Sequence, residues 1–220
     1  MITVHYIGDS TVARNNYRSY PQTGMSQGLS LFLSEQVFIR SYAKNGRSTK
    51  SFLDEGRFEP VKQAMKPGDF LFIQFGHNDE KADEARHTDP ETTYQENLRL
   101  FINAARDAGA YPVLITPIAR RLFDADGNFR PGSHGAYPDA MKTLAQATGT
   151  PVVDLTSASE DYLAQLGDEP SKPLFMWPKD NTHLKPEGAM RMAALLAESL
   201  KNLGAPYADL MAGEDEGADR

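Results

Sequence analysis

The run Asp69-Phe70-Leu71-Phe72-Ile73-Gln74-Phe75 is apolar almost without interruption, and it constrains the fold more than any other stretch. A strand with one wet face alternates apolar and polar residues. A strand without that alternation is covered on both faces, as in a parallel sheet with helices above and below. Residues 2–7, 37–42, 111–116 and 151–155 are rich in β-branched and aromatic side chains and read as further strands. Helical patterns lie between them. Residues 58–65 are stopped by Pro67-Gly68, and residues 90–108 place Tyr94, Leu98, Phe101, Ile102 and Ala105 on one stripe. Residues 134–148 and 156–166 read as helices, and Pro186 opens a last one reaching about Leu203. Residues 29–33 are expected to close a short helix. Strands alternating with helices predict one three-layer α/β domain over residues 1–203. From Gly204 the composition turns small and acidic, ending Glu214-Asp215-Glu216, so residues 204–220 are expected to be a disordered tail.

Composition excludes several function classes. The formal net charge of −7 over 220 residues argues against general nucleic-acid binding, which needs a basic footprint. No apolar run reaches the roughly 20 residues that span a bilayer, so no membrane partner is expected. Cysteine is absent, which removes disulfides, thiolate metal sites and a cysteine nucleophile together. The start, Met1-Ile2-Thr3-Val4, has no basic segment followed by an apolar one. A cytoplasmic location is therefore expected, or a secreted one if the chain is a processed form.

Chemistry-bearing residues fall at strand ends. Gly8-Asp9-Ser10-Thr11 follows the first strand, Asn45-Gly46 the second, and Gly76-His77-Asn78-Asp79 the third. Asp180-Asn181-Thr182-His183 precedes the last helix. In a parallel sheet such positions share one edge, where open α/β sheets bind ligands. A serine hydroxyl is a poor nucleophile until a base takes its proton, and His183 is the natural base for Ser10. Asp180 can hold the far nitrogen of that imidazole. The Ser10 and Gly46 backbone N–H groups and the Asn78 side-chain amide can serve as donors to an oxyanion.

These residues in this order resemble the four blocks of the SGNH (GDSL-type) hydrolases. The longer strings Asp9-Ser10-Thr11-Val12, Asn45-Gly46-Arg47-Ser48-Thr49, Phe75-Gly76-His77-Asn78-Asp79 and Thr116-Pro117 resemble the rhamnogalacturonan acetylesterase group in particular. The resemblance spans about residues 2–203. It implies a flavodoxin-like sheet of five parallel strands, a Ser10–His183–Asp180 triad, and an oxyanion hole of Ser10, Gly46 and Asn78. It also implies deacetylation of a pectic oligosaccharide through an acetyl-enzyme, with no metal and no cofactor. Gly24-Met25-Ser26-Gln27 departs from the pattern, since many relatives carry a Trp and a second Gly there. A different wall of the substrate cleft is expected at that point.

Rival readings are weaker. Gly24-Met25-Ser26-Gln27-Gly28 spells a Gly-x-Ser-x-Gly nucleophile elbow, but that motif needs a strand directly before it. The preceding residues are polar and interrupted by Pro21, so Ser26 is expected to be structural. His5, His77, His87, His134 and His183 show no His-x-x-x-His spacing, which argues against a metal mechanism. For substrate contacts, Arg120 and Arg121 follow the fourth strand and suit carboxylate recognition. Arg14, Lys44 and Lys179 flank other blocks, His77 is expected to line the site, and Trp177 or Tyr17 to offer a sugar ring an aromatic face. A lipid-directed esterase or thioesterase is the nearest alternative activity, although no apolar lid is visible. A carbohydrate-binding protein that no longer turns over is another, opposed by the complete triad.

Overall fold

The central strand β3 (Phe70–Gln74) is buried along its whole length. In the computed structural model, which describes residues 1–213, it pairs in parallel with β1 (Ile2–Gly8) on one side and β4 (Tyr111–Ile115) on the other. The edge strands β2 (Val37–Ser41) and β5 (Val152–Val153) complete a five-stranded sheet of order β2-β1-β3-β4-β5, the flavodoxin-like order. Successive side chains of β3 serve opposite faces. Phe70 and Phe72 pack into one apolar cluster, Leu71 and Ile73 into the other, and this is why the strand shows no polar alternation.

Helices cover both faces. α1 (Met25–Leu29), α6 (Leu155–Leu166) and α8 (Pro186–Asn202) bury apolar residues in the first cluster. α2 (Thr49–Asp54), α3 (Glu59–Ala64), α4 (Thr93–Asp107) and α5 (Tyr137–Thr148) do so in the second. α7 (Asp168–Ser171) is a single turn that leads toward α8. No helix among the described residues is long and apolar enough to cross a membrane.

The sequence expectations need correction in three places. The first helix occupies residues 25–29 rather than closing over 29–33. α2 and α7 went unpredicted; α2 is short, only six residues, and its signal is the reciprocal capping of Ser48 and Ser51. The tail does not begin at Gly204. Tyr207, Leu210 and Met211 are buried, the Tyr207 hydroxyl donates to the Pro112 carbonyl at 2.8 Å, and Met211 bridges Leu33. These apolar anchors outweigh the small, polar composition around them. The rest of the expected tail, residues 214–220, lies outside the described residues.

Candidate active site

In this strand order the chain turns to β2 on one side of β1 and to β3 on the other, so a crevice opens beyond the ends of β1 and β3. Gly8 of β1 stands in register with Gln74 of β3, and Ser10 follows at the crevice floor. A local turn holds it there. Asp9 Oδ1 accepts from the Thr11 N–H at 2.9 Å and from the Thr11 hydroxyl at 2.8 Å, and the Asp9 carbonyl accepts from Ala13 N–H at 3.0 Å. Asp9 is fully buried, and burial pushes its carboxyl up.

His183 Nε2 lies 2.8 Å from Ser10 Oγ. Its other nitrogen, Nδ1, lies 2.5 Å from Asp180 Oδ2. The two Asp180 oxygens divide the work, because Oδ1 accepts from the backbone N–H of Thr182 at 2.7 Å and of His183 at 2.9 Å. One carboxylate thus folds the loop and orients the ring. Burial raises the Asp180 pKa, but the hydrogen bonds from His183 and Thr182 outweigh it and leave the group below its ordinary value. Asp180 is therefore ionised across neutral pH and accepts from the ring nitrogen facing it.

Three donors surround Ser10. The Ser10 and Gly46 backbone N–H groups donate to no acceptor among the described residues. Gly46 has a φ of +80°, a conformation that glycine adopts without steric cost. Asn78 donates one amide hydrogen to the Arg47 carbonyl at 3.1 Å and accepts from Arg86 at 3.3 Å on its oxygen. Its second amide hydrogen meets no acceptor among the described residues. Gly76 begins the loop with a φ of +148°, and a Cβ there would meet the Pro117 ring at 2.8 Å. The Tyr94 hydroxyl donates to the Phe75 carbonyl and the Tyr137 hydroxyl to the Asp79 carbonyl, both at 2.8 Å. The loop carrying Asn78 is thereby fixed from behind.

Ser10, Gly46, His77, Asn78, Asp180 and His183 all line one cleft of about 630 Å³. His77 is buried against His134 with ring centroids 4.4 Å apart, and neither of its nitrogens has a hydrogen-bond partner among the described residues. Burial, with the nearby His134 and Arg120 charges, holds its pKa well below the usual histidine value. Arg120 also lines the cleft, but its guanidinium is engaged. It donates to Thr182 Oγ1 at 2.7 Å and pairs with Glu80, so it clamps the His183 loop.

Other expected contacts lie elsewhere. The Arg121 side chain is buried beneath Trp177, 4.6 Å from that ring, and pairs with Asp168; neither Arg121 nor Trp177 reaches the cleft. Tyr17, Arg14 and Lys44 do not line it either. Residues 24–27 form no wall of it: Ser26 is buried and donates to the Val12 carbonyl at 2.6 Å, as a structural serine does. Sequence reasoning missed Lys81 and Arg86, which line the cleft from a loop whose dense charge gave no sign of direction.

The comparisons with known proteins agree with this geometry. The model of the GDSL-like lipase/acylhydrolase family matches residues 6–191. The chain belongs to the GDSL-like lipase/acylhydrolase family. Among other members, it is 41% identical to the rhamnogalacturonan acetylesterase RhgT of Bacillus subtilis (strain 168), over 94% of this chain and 93% of that one. It is 37% identical to the probable rhamnogalacturonan acetylesterase YesY of the same organism, over 94% and 95%. The crystal structure of YxiM from Bacillus subtilis superposes with a TM-score of 0.82 at 29% identity, covering 93% of this chain and 57% of that one.

Proposed function

We propose that this GDSL-family protein is a serine carbohydrate esterase that removes acetyl groups from rhamnogalacturonan or related pectic oligosaccharides. One observation carries the reading: a Ser10–His183–Asp180 relay opens into a cleft with no aliphatic lining residue. A long acyl chain finds no aliphatic side chain to pack against there among the described residues, whereas an acetyl group needs none and sugar hydroxyls are matched by Gln22, Asn45 and Asn181. The names of the curated relatives support the same substrate class.

In the mechanism, Ser10 Oγ attacks the acetyl carbonyl carbon while its proton passes to His183 Nε2. The carbonyl oxygen becomes an oxyanion held by Ser10 N–H, Gly46 N–H and the free Asn78 amide hydrogen. His183 then gives its proton to the sugar oxygen as the carbon–oxygen bond breaks, and the deacetylated sugar leaves. Water attacks the acetyl-Ser10 ester with His183 again as base, and acetate departs as the Ser10 hydroxyl is restored.

Replacing the nucleophile tests this. Ser10→Ala is expected to lower kcat for 4-nitrophenyl acetate by about 10³-fold or more, with folding retained by circular dichroism. Turnover within a few-fold of wild type in that variant excludes the assignment.

A further inference from the structure

Trp177 is the chain's only tryptophan, and it is 40% exposed. Exposure of a single large side chain says little by itself; what lies under the ring says more. The Arg121 guanidinium sits 4.6 Å from the Trp177 ring centroid and 5.0 Å from that of Phe123. Arg121 is buried and held from three sides. Its Nε donates to Ser171 Oγ at 2.9 Å, its Nη2 donates to the Asp168 carbonyl at 2.8 Å, and it pairs with the Asp168 carboxylate. Lys172 Nζ lies 5.6 Å from the same indole centroid. A ring stacked on an anchored cation is fixed before any ligand arrives, so a ligand that stacks on it loses little affinity to side-chain ordering.

The ring is also tied to the segment that carries the base. Phe175 bridges Leu184 in antiparallel fashion, the Met176 N–H donates to the His183 carbonyl at 2.9 Å, and the Lys185 N–H donates to the Leu174 carbonyl at 2.9 Å. That register sets Trp177 across from Thr182, which lines the cleft. Arg121 joins the two a second time, since its backbone N–H donates at 2.8 Å to the carbonyl of Asn181, another lining residue. Trp177 therefore stands just outside the cleft, in a fixed relation to His183. From this arrangement we infer that Trp177 is a specificity-determining residue, the platform of a distal subsite that stacks the C–H face of a pyranose ring one or more units away from the acetylated sugar. This rests on the acetylesterase reading and adds a chain-length requirement to it. An indole offers a broad apolar face, so the contact is indifferent to the charge of the sugar and is not screened by salt. It is remote from the reacting atoms and binds ground state and transition state alike, so it acts on KM rather than on kcat.

The test compares an acetylated rhamnogalacturonan hexasaccharide with the corresponding acetylated disaccharide. One aromatic stack corresponds to a preference of about tenfold in kcat/KM for the longer substrate, carried by KM and unchanged by added salt. In Trp177→Ala the ratio between the two substrates is expected to collapse toward one, and in Trp177→Phe most of it is expected to remain. A wild-type enzyme indifferent to chain length overturns the inference, as does a Trp177→Ala variant that keeps the full preference. Because the chain has one tryptophan, acrylamide quenching of its fluorescence reads the same contact in the wild-type protein without turnover. The deacetylated hexasaccharide is expected to shield the indole, and quenching unchanged at saturating hexasaccharide overturns the inference. Wild-type hydrolysis of 4-nitrophenyl acetate, which carries no sugar, reports separately on the esterase reading. If that ester is cleaved while neither the ratio nor the quenching responds to chain length, the esterase stands and the platform falls. If it is not cleaved, yet the hexasaccharide shields Trp177, the platform stands alone.

Discussion

Thr49 and Asp79 are 30 residues apart and joined twice: the Thr49 N–H donates to Asp79 Oδ1 at 3.0 Å and the Thr49 hydroxyl to the same oxygen at 2.6 Å. The first residue of α2 is thereby tied to the loop after β3. Gly46 lies just before the one and Asn78 just before the other, so this buried carboxyl ties together the segments that carry the two proposed oxyanion donors. Asp79 is a positioning residue.

Its protonation gives a pH prediction. Burial raises the Asp79 pKa to about 7, against hydrogen bonds from Thr49 and Thr88 that lower it, and its Oδ2 has no partner. Between pH ~4 and ~7 the folded protein keeps a proton that the unfolded chain releases. The contribution of Asp79 to stability therefore falls as pH rises, by at most about 1.4 kcal/mol per pH unit, and levels off above that window. Asp79→Asn removes this slope. Urea midpoints measured from pH 4.5 to 7.5 are expected to shift progressively in favour of the variant; parallel profiles exclude a buried proton on Asp79.

The relay predicts a separation of kinetic constants. Asp180→Asn keeps an oxygen for the Thr182 and His183 N–H groups, so the loop should fold, but it loses the anion facing Nδ1. A fall in kcat of about 10³- to 10⁴-fold is expected, with KM little changed. Steady-state kinetics on an acetyl ester decide, and a tenfold loss or less contradicts the role given to Asp180.

Adjacent arginines are expected to behave unlike one another. Arg120→Ala frees Thr182, and with it the loop bearing His183, which should lower kcat about tenfold. Arg121→Ala leaves Asp168 without its buried partner, at a cost of about 1–3 kcal/mol of stability. Its backbone bond to the Asn181 carbonyl, 2.8 Å long, survives, so kcat of the folded protein should hold. Thermal melts paired with kinetics separate the two, and a reversed pattern refutes the assignment.

Two glycines allow a controlled comparison. Gly46 and Gly127 share a φ of +80°, and a Cβ at either would meet no atom of the described residues within 4 Å. Alanine at either should cost about 1–2 kcal/mol through backbone strain alone. Only Gly46→Ala is expected to lower kcat as well, because its N–H faces the cleft chemistry. Equal kcat in both variants removes Gly46 from the oxyanion site.

Much of this was legible in the sequence. Strands showed because burial on both faces leaves an uninterrupted apolar run, as in residues 70–73. Ser10, His183 and Asp180, which the fold brings together, showed because each sits at a break in such a pattern. Substrate contacts were less legible for a geometric reason: Arg120 and Arg121 are neighbours in a non-helical segment, where successive side chains point apart. One therefore meets the cleft loop and the other meets Trp177. Tyr207, Leu210 and Met211 were hidden by averaging, since three anchors hold a segment whose mean composition reads as solvent-loving.

Ser10 and His183 lie 173 residues apart, one just after β1 and the other just before α8. During synthesis the serine emerges before the histidine. No partial product of translation that stops before His183 has an activated hydroxyl, so nascent chains carry no esterase activity against passing metabolites. The relay needs the loop before α8 in place against Ser10, so acetate release reports that both ends of this fold have come together.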